Sequence, residues 1–387
     1  MPTRAFSGGV AIVLVFSACT GGERVPGFAT RDSAGVRIAE IPADVDLPLW
    51  SIDSVPEFVV GDRPDDPAHE LFRVRSAALL PDGNLAIASQ GSADIRIFDS
   101  TGQHLRTLGR QGRGPGEFEF LAGMLTSGDT LYAFDLRQQR ITTFMASGDL
   151  LGTTPLPFTR AGSIGRLSDG SFVSTTFVGG LPRRPVGVQR DSTPIEIIRA
   201  SGARETVVDV TAFEWYSLGD NGVPIGLPLG GRTFVAASGD RITVVVADQR
   251  DVRQFGSDTR LEQIIRTGHE RKALTDEDWE WAKTIYLADY QNDRRPEAEE
   301  RWERVPRPDF SPVFRGVLAS ADGDIWLRAF TTDPAGGIWL VVGSDGTPLA
   351  RVRHPAGKGI LSVSGTRVVT LQFTDEGPRV SVHKLLR

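Results

Sequence analysis

The sequence predicts an all-β fold, and three observations carry that reading. First, the chain from Arg73 onward shows one unit twice in succession, RVRSAALLPDGNLAIASQGSADIRIFDSTGQHLRTLGRQGRGPGEF and then FLAGMLTSGDTLYAFDLRQQRITTFMASGDLLG. Each line holds an apolar run, a Gly/Asp turn, an alternating strand, a polar gap and a second strand pair with its own Gly turn. Two β-hairpins in series make a four-stranded unit, because Gly supplies the positive φ that such turns need. Second, the turns recur. Those of the first kind fall at Asp82-Gly83, Gly128-Asp129, Asp169-Gly170, Gly239-Asp240, Asp322-Gly323 and Gly365, which makes six units. Those of the second kind fall at Thr101-Gly102, Gly148-Asp149, Ser201-Gly202, Ser257-Asp258 and Asp345-Gly346, one short of that number. Third, the sixth unit stops at VSVHKLLR after three strands, and the N-terminal side carries a match for the fourth. PEFVVGDRPDDPAHELFRVRSA lines up with HLRTLGRQGRGPGEFEFLAGM, so residues 56–61 are expected to donate the last outer strand. Six four-stranded sheets closed in this way describe a six-bladed β-propeller with no open sheet edges.

Composition agrees. The 43 Gly and 24 Pro suit many short strands and turns, and 40% hydrophobic content can bury a large core. A formal charge of -6 argues against a general nucleic-acid binder, which normally carries a basic excess. The single cysteine excludes intrachain disulfides, so the fold must rest on its core.

At the N-terminus, MPTRAFSGGVAIVLVFSAC has a positive charge at Arg4, an apolar run from Val10 to Phe16, then Ser17, Ala18 and Cys19. It resembles a bacterial lipoprotein signal, in which small residues precede a cysteine that becomes lipidated. That resemblance implies a signal over 1–19 and a lipid on Cys19 as the membrane attachment. With Thr20 following instead of Asp, it implies an outer-membrane protein facing the periplasm. The competing reading is an ordinary secretory signal with an incidental cysteine. Residues 20–35 are polar and Gly-rich and read as a tether. VRIAEIP at 36–42 reads as an extra edge strand, and the propeller is expected over 36–387.

The spacing of the first turns is 46, 41, 70, 83 and 43 residues. In a propeller, the turns joining strands a to b and c to d lie on one face, and the b–c and d–a loops lie on the other. Every long insertion (178–194, 211–231 and 268–314) falls in the second set, so one face is plain and the other elaborated. Loops on a rigid scaffold are where binding sits, although insertions also drift to wherever they are tolerated. Within 268–314, LTDEDWEWAKTIYLADYQ predicts a helix capped by Thr275, with Asp276, Glu277 and Asp278 in its first turn. Trp279, Ala282, Tyr286 and Tyr290 share its apolar face. Pro296 opens a second short helix, PEAEERWER. The pair is expected either to act as a lid or simply to cover blades 4 and 5.

The units GEF, LYAFD, QQRITTF and SGD at 116–149 resemble NHL-like (TolB-like) repeats, and the region 36–387 is similar to bacterial six-bladed propeller lipoproteins. Many of those have no assigned biochemical role, and some six-bladed propellers use an axial metal to hydrolyse lactones or esters.

Candidate site residues follow from the register. Asp135 and Asp248 read as equivalent positions at the ends of second strands, with Ser89 and Arg328 there in blades 1 and 5. Arg137 and Arg250 follow two residues later. Two carboxylates could help hold Ca²⁺, which prefers oxygen ligands, but an Asp after a strand more commonly bonds its own turn. The loop from Gly109 to Phe118 lacks the Lys-Ser/Thr of a phosphate loop and leads to no helix. Its recurrence at the junction of blades 6 and 1 points to architecture, with Phe118 or Leu71 tucked between blades. Arg110 and Arg113 can still present charge to an anion. Trp215 and Tyr216 could meet a ligand or form a satellite cluster beneath their loop. No HExxH and no GxSxG occurs, so no catalytic residue is nominated. The expected function is a monomeric, lipid-anchored envelope propeller that binds a protein, peptide or glycan without chemistry of its own. The alternative is a metal-dependent lactonase- or esterase-like hydrolase using Asp135 and Asp248.

Overall fold

The computed structural model describes residues 25–156, 161–176, 185–219, 224–288, 290, 294–333 and 336–387. The expected signal segment and Cys19 lie outside them. Six antiparallel blades follow one another along the chain. Their inner strands are Val74–Leu79, Leu121–Ser127, Ala161–Arg166, Thr233–Ser238, Phe314–Ala319 and Lys358–Ser364, and these surround the axis. Each inner strand is the terminal strand of its sheet, paired with the next strand of its own blade, so its other backbone edge faces the central channel.

Both faces of a blade are covered by neighbouring blades, and this explains the sequence of the middle strands. Leu85–Ser89 is buried at all five positions and Arg241–Val246 at all but its first. Strands covered on both sides read as continuous apolar runs, whereas a half-exposed strand alternates. The outer strand of blade 2, Leu150–Pro155, has only one partner and is mostly exposed. Hydrophobic clusters occupy all six blade interfaces. Phe118, Ile95, Ile97 and Leu131 lie between blades 1 and 2, Phe134 and Ile198 between 2 and 3, and Val173 and Val244 between 3 and 4. Ile265 and Leu327 lie between 4 and 5, Trp326 and Val368 between 5 and 6, and Leu85 and Val380 between 6 and 1. A cluster at every interface closes the ring.

The closing strand is Phe58–Val60, which pairs antiparallel with Gly377–Leu386 of blade 6 through Val60↔Val380 and Phe58↔Val382. This is the donated strand expected at 56–61. Val36–Ile41 is indeed an extra strand, paired in parallel with Leu261–Thr267 on the outside of blade 4. Two features depart from expectation. The tether read over 20–35 is too long, because Ala29–Ser33 forms a hairpin with Val36–Ile41 through the turn at Ala34 and Gly35. The sequence reading also lacked Leu49–Ile52, which pairs in parallel with Pro348–Pro355 and antiparallel with the end of Gly377–Leu386. It joins blades 5 and 6 into one nine-stranded sheet.

The insertions are more ordered than loops. In blade 3 the strands Gly187–Ile198 and Arg204–Ser217 run 12 and 14 residues, so parts of the expected insertions 178–194 and 211–231 continue the blade as a long hairpin. In the third insertion, α1 (Asp276–Ala288) and α2 (Arg295–Trp302) form as predicted. The Asp278 N–H donates to Thr275 Oγ1 and the Thr275 N–H donates to the Asp278 carboxylate, both at 3.1 Å. This reciprocal pair satisfies two backbone donors at the helix start. Trp279 and Tyr286 of α1 stack against Trp302 of α2 at 4.5 and 5.2 Å. The helices sit on Leu229 and Phe330, and so cover blades 4 and 5 at the channel mouth.

Candidate functional site

The structure separates the sequence-nominated residues and gives most of them structural partners. Asp135 is fully buried and is the last residue of its strand, paired with Leu121. Its carboxylate accepts from the N–H groups of Glu119 (2.7 Å), Arg137 (2.9 Å) and Gln138 (2.9 Å), and from Gln138 Nε2 (2.9 Å). Ser89 performs the same task in blade 1. Its hydroxyl accepts from the Phe72 N–H at 3.3 Å and donates to the Phe72 carbonyl at 2.7 Å. Phe72 and Glu119 both lie two residues before their inner strands, so Ser89 and Asp135 are one recurring latch that fastens the d–a loop to its blade.

The proposed equivalence of Asp248 and Arg328 with this position fails. In blade 4 the matching residue is Val246, paired with Thr233, and Asp248 lies two residues further on, in the turn. In blade 5 it is Ala329, paired with Phe314. Asp135 and Asp248 also belong to blades 2 and 4, with blade 3 between them. Arg137 and Arg250 are both exposed. Among the described residues, no group of three or more His, Cys, Asp or Glu side chains is placed to hold a metal ion.

Arg110 and Arg113 are exposed and pair with Glu117 and Glu119, each at 2.8 Å. The Gly114 N–H and the Arg110 guanidinium hold the Glu117 carboxyl below its ordinary range. Phe118 is fully buried and Leu71 nearly so, which bears out their role between blades. Gly109 is required there: its φ is +79°, and a Cβ would come within 2.3 Å of the Phe118 ring. At the junction of blades 6 and 1, His69 pins the loop: Nδ1 accepts from the Gly61 N–H and Nε2 meets the Gly102 carbonyl at 3.0 Å. Trp215 lies 4.7 Å from Phe213, and Tyr216 belongs to a satellite cluster with Ile225, Leu227 and Val305.

One cavity and one charged cluster remain. On the short-turn face the channel holds a cavity of ≈ 1040 Å³, lined by the ends of all six inner strands and their turns. Its walls are small residues such as Ser76, Ala237 and Ser362, with Arg166, Arg367 and Lys384 at the side. Arg367 is paired with Glu57 at 2.8 Å, and Arg166 stacks on Tyr132 at 4.4 Å. The turns of this face are short, as their spacing predicts, and they rim this opening.

At the other end of the channel, the insertions roof a cationic area built by Arg232, Arg315 and Arg328. Burial, with the charges of Arg328 and Arg232, pushes Arg315 down to about 10. Burial also lowers Arg328 and Arg232. Sequence reasoning missed this group, because residues 232, 315 and 328 share no periodicity and meet only when the ring closes.

Beside it, His354 is 2% exposed, and burial and then the Arg328 charge push its pKa down to about 4. A histidine depressed below its unfolded value near 6.5 stabilises the fold above that value and loses the contribution as pH falls toward 4. The melting temperature is therefore expected to drop more between pH 7 and pH 4.5 in the wild type than in His354→Phe. Equal drops would show that the folded imidazole is not depressed below its unfolded value.

The profile of a family described as 6-bladed beta-propeller matches residues 78–172, from the end of blade 1's inner strand through blade 2 to the start of blade 3. No curated protein matches the chain. Among solved structures, it is similar to a Bacteroides fragilis protein described as exported, at 10% identity and a TM-score of 0.49, over 90% of this chain and 98% of that one. A gluconolactonase of Xanthomonas campestris aligns at 13% identity and a TM-score of 0.44, over 89% and 97%. A calcium-binding regucalcin of Agrobacterium tumefaciens aligns at 9% identity and a TM-score of 0.42, over 88% and 96%.

Proposed function

We propose that this protein is an exported propeller, anchored to the outer membrane by a lipid on Cys19, that acts as a non-catalytic binding module. It would hold an envelope protein, peptide or glycan on the face that carries the insertions. The observation that supports this reading is the placement of exposed aromatic side chains. Among the described Phe, Tyr and Trp residues, four are exposed: Phe72, Phe120, Phe310 and Phe373. All four lie at d–a connections or at the end of a second strand, on the elaborated face. Phe373 and Phe72 are 71% and 57% exposed. Aromatic residues and arginine are the side chains enriched where proteins bind partners, and a few such anchors carry most of the binding energy.

The metal-dependent hydrolase is disfavoured by the engagement of Asp135 in four hydrogen bonds. Cell fractionation tests the anchor: Cys19→Ala is expected to leave the membrane pellet. Co-sedimentation of purified Cys19→Ala protein, which has no lipid to pellet it, with an excess of added envelope fractions tests the face. Phe72→Ser with Phe373→Ser should abolish co-sedimentation without lowering the melting temperature, and retained binding would refute this face. A melt with Ca²⁺ and then EDTA should show no metal-dependent shift. A rise that EDTA reverses would restore the hydrolase and call for lactone and ester substrates.

A further inference from the structure

Three arginines meet where the inner strands of blades 4 and 5 begin. Arg232 immediately precedes Thr233–Ser238, and Arg315 is the second residue of Phe314–Ala319. Arg328 lies on the adjoining strand Ile325–Ala329, in register with Gly316. One residue ties the first two backbones together. The Ala247 N–H donates to the Arg232 carbonyl at 2.8 Å, and the Ala247 carbonyl accepts from the Val313 and Phe314 N–H groups at 2.6 and 3.1 Å. Two of the insertions then add an aromatic ring: Phe213 lies 4.6 Å from the Arg232 guanidinium and Trp281 4.3 Å from that of Arg315.

These three share the lack of a counter-charge. Elsewhere the chain pairs arginines readily, as Arg96 with Asp94, Arg199 with Glu205 and Arg266 with Asp251. Among the described residues, Arg232, Arg315 and Arg328 have no carboxylate within ion-pair distance, and their guanidiniums make no hydrogen bond. All three are half-buried and remain cationic at neutral pH. Two further polar atoms nearby are unmatched. Trp339, directly opposite Arg328 across the strands, has a buried Nε1 without a partner, and His354 Nε2 on the outer strand of the same blade is in the same position.

Ring faces stabilise a cation only in part, and half-buried charges are ordinarily matched. Guanidinium forks suit two oxygens of one anionic group. We propose that Arg232, Arg315 and Arg328 form a binding site for a compact oxyanion with two or more negative charges, a phosphate or a di- or tricarboxylate, beneath the helical insertion. The site rests on the binding-module reading and names the chemistry its elaborated face accepts.

The test is thermal melting of the full chain in increasing inorganic phosphate or citrate, against sodium chloride at matched ionic strength. A ligand that binds only the folded state raises the melting temperature in a saturable way. Phosphate or citrate should do so beyond chloride, and the more effective of the two names the source. Arg315→Gln should abolish the anion-specific rise. In chloride it should melt no lower than the wild type, because it relieves a crowd of like charges. An equal rise in all three salts overturns the proposal, as does a persisting rise in Arg315→Gln or a lower melt of that variant in chloride. Arg232→Lys, which keeps the charge but loses the fork, should shift half-saturation upward by about tenfold and keeps the test open if the glutamine variant does not fold. If Phe72→Ser with Phe373→Ser leaves co-sedimentation intact while the phosphate response persists, the partner reading falls alone.

Discussion

Phe118→Ala is expected to lower the free energy of unfolding by about 3–5 kcal/mol, the range for emptying a fully buried phenylalanine site. The ring is 0% exposed, lies 6.3 Å from Phe144, and fills the interface of blades 1 and 2 with Ile95, Ile97 and Leu131. Its own backbone pins the loop it belongs to. The Phe118 N–H donates to the Arg110 carbonyl at 2.8 Å, and its carbonyl accepts from the Gly112 N–H at 3.1 Å. The loop cannot collapse far into the void without breaking these bonds, so the loss should fall toward the upper part of the range. Denaturant unfolding of the variant checks it. A loss below about 1 kcal/mol would mean that the interface repacks freely, contrary to a close-packed ring.

Asp135→Ala should cost about 3 kcal/mol, and the cost should be the same in Ca²⁺ and in EDTA. The carboxylate is buried and satisfies three backbone N–H groups and one side-chain amide. Removing it strands donors, each costing roughly 1–3 kcal/mol when left unsatisfied in the interior. Asp135→Asn retains one acceptor oxygen and should lose about half as much. A stability loss that appears only when Ca²⁺ is present in the wild-type comparison would instead mark Asp135 as a metal ligand.

Blade count and closure were legible in the sequence because both depend on local signals. Gly/Asp turns mark each hairpin, and the Phe58–Val60 segment repeats the pattern of the other outer strands. The capped helix at Thr275 was legible for the same reason. Leu49–Ile52 was not, since its partners are Pro348–Pro355 and Gly377–Leu386, about three hundred residues away, and four residues carry too little alternation to show a strand. The error over Asp248 has a specific cause. Its strand ends at Val246, and the next residue, Ala247, is occupied in holding blades 4 and 5 together, so an alignment on the aspartate slips by two. The arginine group is invisible in sequence because each member follows a different local pattern and only the circular order of blades brings them together.

The N-terminal stretch fastens itself to the ring at three successive places: Val36–Ile41 on blade 4, Leu49–Ile52 between blades 5 and 6, and Phe58–Val60 within blade 6. The order matters mechanically. Tension applied ahead of residue 29 loads the Ala29–Ser33 hairpin arm first, then the parallel strand behind it, and reaches the closing strand last. The outer attachments act as strain relief, so tugging at the leading end can peel a hairpin while the circle of blades stays shut.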